Sequence, residues 1–166
     1  MATVDDMLDE VIRREGAFSH LAADRGGATM WGITQTTLSG WLGRPATVDD
    51  VKHLTPQAAK AIYRALYYER PRIEMLPDPL DDVIFDFAVN SGPFVAIQAL
   101  QEVMGLKADG ILGPKTLAAA VATDLRSTIN RVCGWRIMML GRICRRDPSQ
   151  LTFLQGWLRR ALEFMQ

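Results

Sequence analysis

Thr55-Pro56-Gln57-Ala58-Ala59-Lys60-Ala61-Ile62-Tyr63-Arg64-Ala65-Leu66-Tyr67-Tyr68 decides the fold class. A hydroxyl side chain followed by proline is a helix start. The hydroxyl oxygen accepts from an orphan backbone N–H, and the proline sits where no donor is needed. Behind it Ala59, Ile62, Tyr63, Leu66 and Tyr67 recur at helical spacing and form one apolar face.

The same pattern continues outward in both directions. Downstream, Leu80, Val83, Ile84, Phe87 and Ala88 mark a helix closed by Ser91-Gly92, and Pro93 opens another that Gly105 ends. Asp109-Gly110-Ile111-Leu112-Gly113-Pro114 is a turn-rich link into a helix beginning near Lys115. A long helix is expected over about 124–145, and Asp147-Pro148 starts the last one. Upstream, Thr3 with Asp6 reads as a capping box for a helix whose stripe is Val4, Met7, Leu8, Val11 and Ile12, ending near Gly16. Thr34 caps a short helix carrying Leu38, Trp41 and Leu42, and Thr47 with Asp50 caps a further turn. Residues 17–33, with Gly26-Gly27 and Gly32, break the pattern. Period-two strands are scarce. The expected fold is all-α, about eight or nine helices in two lobes, with an irregular loop or small hairpin at 17–33.

Composition narrows the function classes. A chain of 166 residues with 48% hydrophobic content fits one compact folded domain rather than a disordered segment. The formal net charge is zero. It is unevenly spread, however. Residues 1–102 carry 9 Lys+Arg against 15 Asp+Glu, hence −6; residues 103–166 carry 10 against 4, hence +6. The basic part suits an anionic polymer or simply packing against the acidic part. The arginines at 136, 142, 145, 146, 159 and 160 have no interleaved exposed aromatics, so solvated faces are expected first, wall contact second and nucleic acid a distant third. Cys133 and Cys144, on one helix, stand about 16 Å apart along its axis, too far for a disulfide, and read as small buried hydrophobes. His20 and His53 lack the spacing of a metal site, and no cofactor is expected. Gly110 to Gly113, before Lys115-Thr116, is too short for a phosphate loop. The start of the chain has no basic, apolar leader, so no signal peptide is expected, and no stretch is long and apolar enough to span a membrane.

One constellation can carry chemistry. Glu15 stands at the carboxyl end of the first helix, just before Gly16 and the glycine-rich loop. The negative end of the helix dipole disfavours ionisation there, the direction a general acid needs, and burial beside Phe18 or Trp31 would push the same way. Asp24 lies in the loop, where backbone donors and water keep a carboxylate ionised, and the Thr29 hydroxyl can hold a water beside it. Position and spacing alone leave the plainer readings open: Glu15 as a solvated helix end, Asp24 as a turn residue capping its own backbone.

Resemblance adds to this. Arg14-Glu15-Gly16-Ala17-Phe18, followed by Ala23-Asp24-Arg25-Gly26-Gly27-Ala28-Thr29-Met30-Trp31-Gly32-Ile33-Thr34, resembles the opening signature of glycoside hydrolase family 108, bacterial and phage N-acetylmuramidases of lysozyme-like character. Ala61-Ile62-Tyr63-Arg64 with Tyr67-Tyr68, and Phe85-Asp86-Phe87-Ala88-Val89-Asn90-Ser91-Gly92, resemble two further family segments. Leu100-Gln101, Gly105, the 109–116 turn and Gly156-Trp157 with Arg160 resemble the peptidoglycan-binding region that accompanies these enzymes. The departures are Ala17 for a glycine, Phe18 for a tyrosine, Arg25 for a common proline and Tyr68 for a tryptophan. They bear on substrate contacts more than on reaction type.

The resemblance implies a lysozyme-like catalytic lobe over 1–92 and a helical peptidoglycan-binding lobe over 93–166, packed as one compact unit. It implies Glu15 as general acid. The Glu, eight residues, Asp, four residues, Thr arrangement is also similar to the triad of phage-type lysozymes, which supports Asp24 and Thr29. Gly26, Gly27, Trp31, Tyr67, Tyr68, Asn90 and Ser91 are the candidate substrate contacts. Of these, the aromatics equally suit a core and Asn90-Ser91 a helix cap, while Asp86 suits a buried hydrogen-bonding role or a second cleft carboxylate. The implied reaction is hydrolysis of the β-1,4 bond between N-acetylmuramic acid and N-acetylglucosamine, with inversion and a carboxyl separation of about 6.5–9.5 Å. The expected partner is the peptidoglycan glycan strand, acted on by a monomer. Synthesis in the bacterial cytoplasm would require a holin or another export partner to reach the periplasmic wall. A lytic transglycosylase, a non-catalytic wall-binding module and a helical DNA-binding protein are the alternatives.

Overall fold

The computed structural model describes residues 4–16, 18–19 and 27–165, and of Glu15 the backbone alone. Nine α-helices and one two-stranded hairpin stand among these residues. The all-α expectation holds. The chain forms two compact units, residues 1–66 and 67–166.

In the first unit, α1 (Val4–Glu15) turns Leu8, Val11 and Ile12 inward, the stripe the sequence predicts. The predicted cap at Thr3 lies outside the described residues. Gly16 then takes φ +74°, the left-handed conformation that ends a helix without a Cβ penalty. The hairpin pairs β1 (Thr29–Met30) with β2 (Ile33–Thr34) antiparallel, Thr29 opposite Thr34 and Met30 opposite Ile33. Thr34 caps α2 (Gln35–Leu42) by accepting from the Thr37 N–H. Thr47 and Asp50 form the predicted reciprocal capping box of α3 (Val48–Lys52). Thr55 caps α4 (Pro56–Tyr63), with proline in its first turn. Ala59, Ile62 and Tyr63 are buried, and α4 packs on α1, where Arg64 pairs with Asp5 and Lys60 with Asp9.

The structure departs from the sequence reading at two places here. The α4 stripe was expected to run on through Leu66 and Tyr67, but Arg64–Glu69 winds as a π-helix. The wider turn rotates later side chains off the α face, so Leu66 and Tyr67 are only half-buried. Trp41 and Leu42 of α2 are exposed, and Leu38 alone of the three is buried.

The second unit is built around α5 (Leu80–Ser91). Leu80, Asp81, Val83, Ile84, Phe85, Asp86, Phe87 and Ala88 are all buried, so this helix is covered nearly all round. Packed on it are α6 (Pro93–Val103) and α8 (Leu125–Arg146); α7 (Pro114–Ala122) lies between these two in sequence, and α9 (Leu151–Leu162) packs on α8. Cys133 and Cys144 are buried, free thiols on α8.

The 109–116 turn is held from inside. Gln101 is fully buried and donates from Nε2 to Asp109 Oδ1 (2.8 Å), Ile111 O (3.0 Å) and Thr116 Oγ1 (3.1 Å). Its Oε1 accepts from the Gly110 N–H at 2.8 Å. One amide thereby meets four partners in a segment without regular ladders of its own.

Candidate functional site

In the first unit, Glu15 is the last residue of α1, at the expected helix end; its side chain, Asp24 and Gly26 lie outside the described residues. The described part of the constellation is the hairpin, and its backbone explains the Gly-Gly-x-Thr run. Gly27 has φ +73°, and a Cβ there would meet Gln35 Oε1 at 2.9 Å, so both conformation and space call for glycine. Gln35 is fixed in turn, donating its amide to Ala46 O at 2.6 Å and its backbone N–H to Ala28 O at 2.8 Å. Thr29 is locked by a reciprocal pair of 2.8 Å backbone bonds with Ser19. Its hydroxyl lies 3.5 Å from Gly27 O, a long contact that leaves the group able to serve another partner.

Trp31 and Gly32 form the two-residue hairpin turn, with φ of +53° and +75°. Two successive left-handed residues make a type I′ turn, where Asn-Gly is the usual choice. A tryptophan in that conformation costs on the order of 1–2 kcal/mol. Two tethers oppose the cost. The indole Nε1 donates to Leu54 O at 2.9 Å, and the Trp31 carbonyl accepts from Tyr63 Oη at 3.1 Å. The half-buried ring is held at a fixed angle. Such strain, sustained by dedicated hydrogen bonds, is typical of positions that touch ligands. The sequence singled out Trp31 but not its supports, which are 23 and 32 residues away.

The second unit holds the remaining candidates. Tyr68 donates to Asp81 Oδ2 at 2.8 Å and packs edge-to-face on Phe85, with centroids 5.4 Å apart. Burial, then the Asp81 contact, pushes the Tyr68 hydroxyl well above the ordinary phenol range. Burial also raises Asp81, aided by the nearby Asp78 charge, though the Tyr68 bond pulls the other way. Asp82 is pushed up to about 6 by burial and by the Asp81 and Asp78 charges. Tyr67 is half-buried.

Asn90 and Ser91, at the end of α5, line a cavity of about 90 Å³ with Arg136, Leu140, Ile143 and Trp157. Asn90 also donates to Asp86 O at 3.1 Å, so it closes the helix end as well. A wider open groove of about 540 Å³ runs past Ile137, Met138, Arg142, Arg145, Leu154 and Leu158.

Asp86 is not solvent-facing. It is 8% exposed and accepts from Arg136 Nη1 through Oδ2 and from Arg160 Nε through Oδ1, each at 2.7 Å. This corrects the reading of both arginines as solvated. Arg136 is 3% exposed and lies 5.0 Å from the Phe87 ring centroid, so α5, α8 and α9 are joined through one buried carboxylate. Arg142, by contrast, sits over the Trp135 ring at 5.9 Å. A charge inside so apolar a helix as α5 was the available signal, since a buried charge demands a partner. Among the described residues there is no cluster of three or more metal-ligating side chains. No helix among them is long and apolar enough to cross a membrane.

Residues 8–92 match the family described as Glycosyl hydrolase 108, and residues 95–162 match the one described as Predicted Peptidoglycan domain. Among solved structures, that titled "Structure of Brucella abortus SagA" is 35% identical, with a TM-score of 0.81. The match covers 98% of this chain and 95% of that one. No curated protein matches.

Proposed function

The chain belongs to the Glycosyl hydrolase 108 family and carries a peptidoglycan domain, which makes it a glycoside hydrolase acting on peptidoglycan; from that premise we propose that it is a muramidase with Glu15 as its acid. The bond cut is the β-1,4 linkage between N-acetylmuramic acid and N-acetylglucosamine. Glu15 protonates the leaving oxygen while Asp24, with Thr29, directs water to the opposite face, an inverting course. The observation that carries this reading is the family match over residues 8–92, which spans Glu15, Asp24 and the hairpin.

Three features support it further. Glu15 ends α1, where the helix dipole favours the protonated acid a leaving group requires. Thr29 has its backbone tied by two bonds to Ser19, and among the described residues its hydroxyl makes a long contact to Gly27 O. Trp31 holds a ring in a strained, doubly tethered turn, suited to stacking on a sugar face. Gly26 and Gly27 allow close backbone approach, and Tyr67, Tyr68, Asn90 and Ser91 complete the proposed contacts. The functional boundary falls near 92/93, supported by one family match ending at 92 and the next beginning at 95. We assign the protein to lysis or wall remodelling as a monomer, reaching the wall with a holin or other export partner.

The test is digestion of purified peptidoglycan by wild type and Glu15→Gln, with products identified by mass spectrometry. Reducing muropeptides from wild type and none from the variant are expected. Anhydro-sugar ends would instead make it a lytic transglycosylase. Cleavage by neither protein, across several wall types and pH values, would leave only a wall-binding module.

A further inference from the structure

The small cavity at the end of α5 sets Arg136 and an apolar wall beside Asn90 and Ser91, the two residues proposed above as glycan contacts. At about 90 Å³ it is far below the roughly 300–1,000 Å³ of pockets that hold whole small molecules, so it takes one small group. Its polar lining residues are Asn90, Ser91 and Arg136; its apolar ones are Leu140, Ile143 and Trp157. Arg136, a buried side chain whose Nη1 is committed to Asp86 at 2.7 Å, is also one of the residues that line the cavity. Asp86 cannot repel an incoming anion at full strength, because both its oxygens already accept from guanidiniums. The last turn of α5 is also partly closed, with Asp86 O accepting from Asn90 Nδ2 and Ala88 O from the Gly92 N–H.

We propose that this cavity is a binding site for a small aliphatic carboxylate, in peptidoglycan the terminal alanyl group of a peptide stem. A guanidinium prefers a charged planar acceptor, and its hydrogen bonds to carboxylate are about twice as strong as neutral ones. The Asn90 amide and Ser91 hydroxyl supply neutral donors, and the methyl of an alanyl end meets Leu140, Ile143 and Trp157. An acetamido group of similar size would leave the guanidinium facing a neutral oxygen. The site would let the enzyme sense the state of the stem while cutting the glycan. The identity of the natural ligand rests on the peptidoglycan reading above; the carboxylate chemistry does not.

The test is ¹⁵N NMR titration of the full chain with D-alanyl-D-alanine, its C-terminal amide and N-acetylglucosamine, following the Ser91 amide and the Trp157 indole N–H. Saturable shifts with the dipeptide are expected, with the amide binding about tenfold more weakly or worse, as loss of a charge-assisted pair requires. Ile143→Phe, which fills the cavity from its apolar wall, should abolish the shifts. Equal response to dipeptide and amide, response to N-acetylglucosamine alone, or no response at all would overturn the proposal. The wild-type comparison needs no variant to fold. The same protein batch is assayed on whole walls: digestion without dipeptide binding sinks this inference alone, and binding without digestion sinks the muramidase reading alone.

Discussion

Asp86→Asn replaces the carboxylate that two guanidiniums share with an isosteric neutral amide. The amide oxygen can still accept from one arginine, but its NH2 group faces the other, so a donor meets a donor. Arg136 is 3% exposed, so little solvent is at hand to replace the lost carboxylate. Removing one partner of a buried ion pair costs about 3–5 kcal/mol, most of it the penalty of the charge left behind. For a chain of this size each kcal/mol lowers Tm by about 2–4 °C, so a fall of roughly 6–20 °C is expected. An exposed pair gives the contrast: Arg44 and Asp50 meet at 2.9 Å, and Arg44→Gln should leave the unfolding midpoint almost unmoved. Urea and thermal unfolding followed by helical circular dichroism measure both. Replacing Asp86, Arg136 and Arg160 together by apolar residues should recover much of the loss, because the desolvation penalty goes with the charges. A loss under about 1 kcal/mol in Asp86→Asn would refute the buried-hub account. Unchanged stability with digestion abolished would go further, making Asp86 the second cleft carboxylate instead.

Gln101→Leu leaves the Gly110 N–H and the Ile111 carbonyl without their partner and should cost about 2–3 kcal/mol, read as a lowered urea midpoint. The Asp82 carboxyl, pushed up to about 6, binds a proton in the folded chain that the unfolded chain has released. Its contribution to stability is therefore present below about pH 4 and lost as pH rises through 6, on the order of 1 kcal/mol after allowance for solvent at this half-buried group. Asp82→Asn should flatten that part of the stability-versus-pH curve, and an unchanged slope would remove Asp82 as its cause. Trp31→Asn puts the preferred residue into the type I′ turn but removes the indole and its bond to Leu54. Stability should change by no more than about 1–2 kcal/mol, while KM for solubilised wall rises about fivefold. A variant with wild-type KM would show that the ring does not touch the glycan.

Most helix boundaries were legible because they are local. Thr34, Thr47 and Thr55 each announce a helix through a hydroxyl that accepts from a backbone N–H three residues on, and Gly16 and Gly105 end helices by adopting positive φ. Such interactions are encoded within four residues, and a single sequence displays them. The π-turn at Arg64–Glu69 was not legible, since Ala-Leu-Tyr-Tyr is compatible with continued α-helix and the apolar spacing carries on regardless. Only tertiary packing selects the wider turn, which sets where Tyr67 and Tyr68 point.

The site divides along the same line. Residue types and their order pointed to the hairpin, because Gly27 and Gly32 can take the positive φ that such a turn needs. The supports that give the hairpin its geometry were invisible: Leu54 contributes a carbonyl, which any residue could supply, and Tyr63 reads as ordinary core. The arginines were misread for a related reason. Periodicity assigns a residue to a helix face, yet whether that face meets water or a carboxylate 50 or 74 residues away depends on how helices are arranged. The one usable clue was Asp86 itself, a charge among Val83, Ile84, Phe85, Phe87 and Ala88. A carboxylate in such surroundings must find cations or stay protonated. With two arginines on separate helices answering it, the acid fastens the second unit together. Arg136 is the one of these two arginines that also lines the Asn90–Trp157 cavity, which is why the proposed carboxylate site lies beside the hub and not at it.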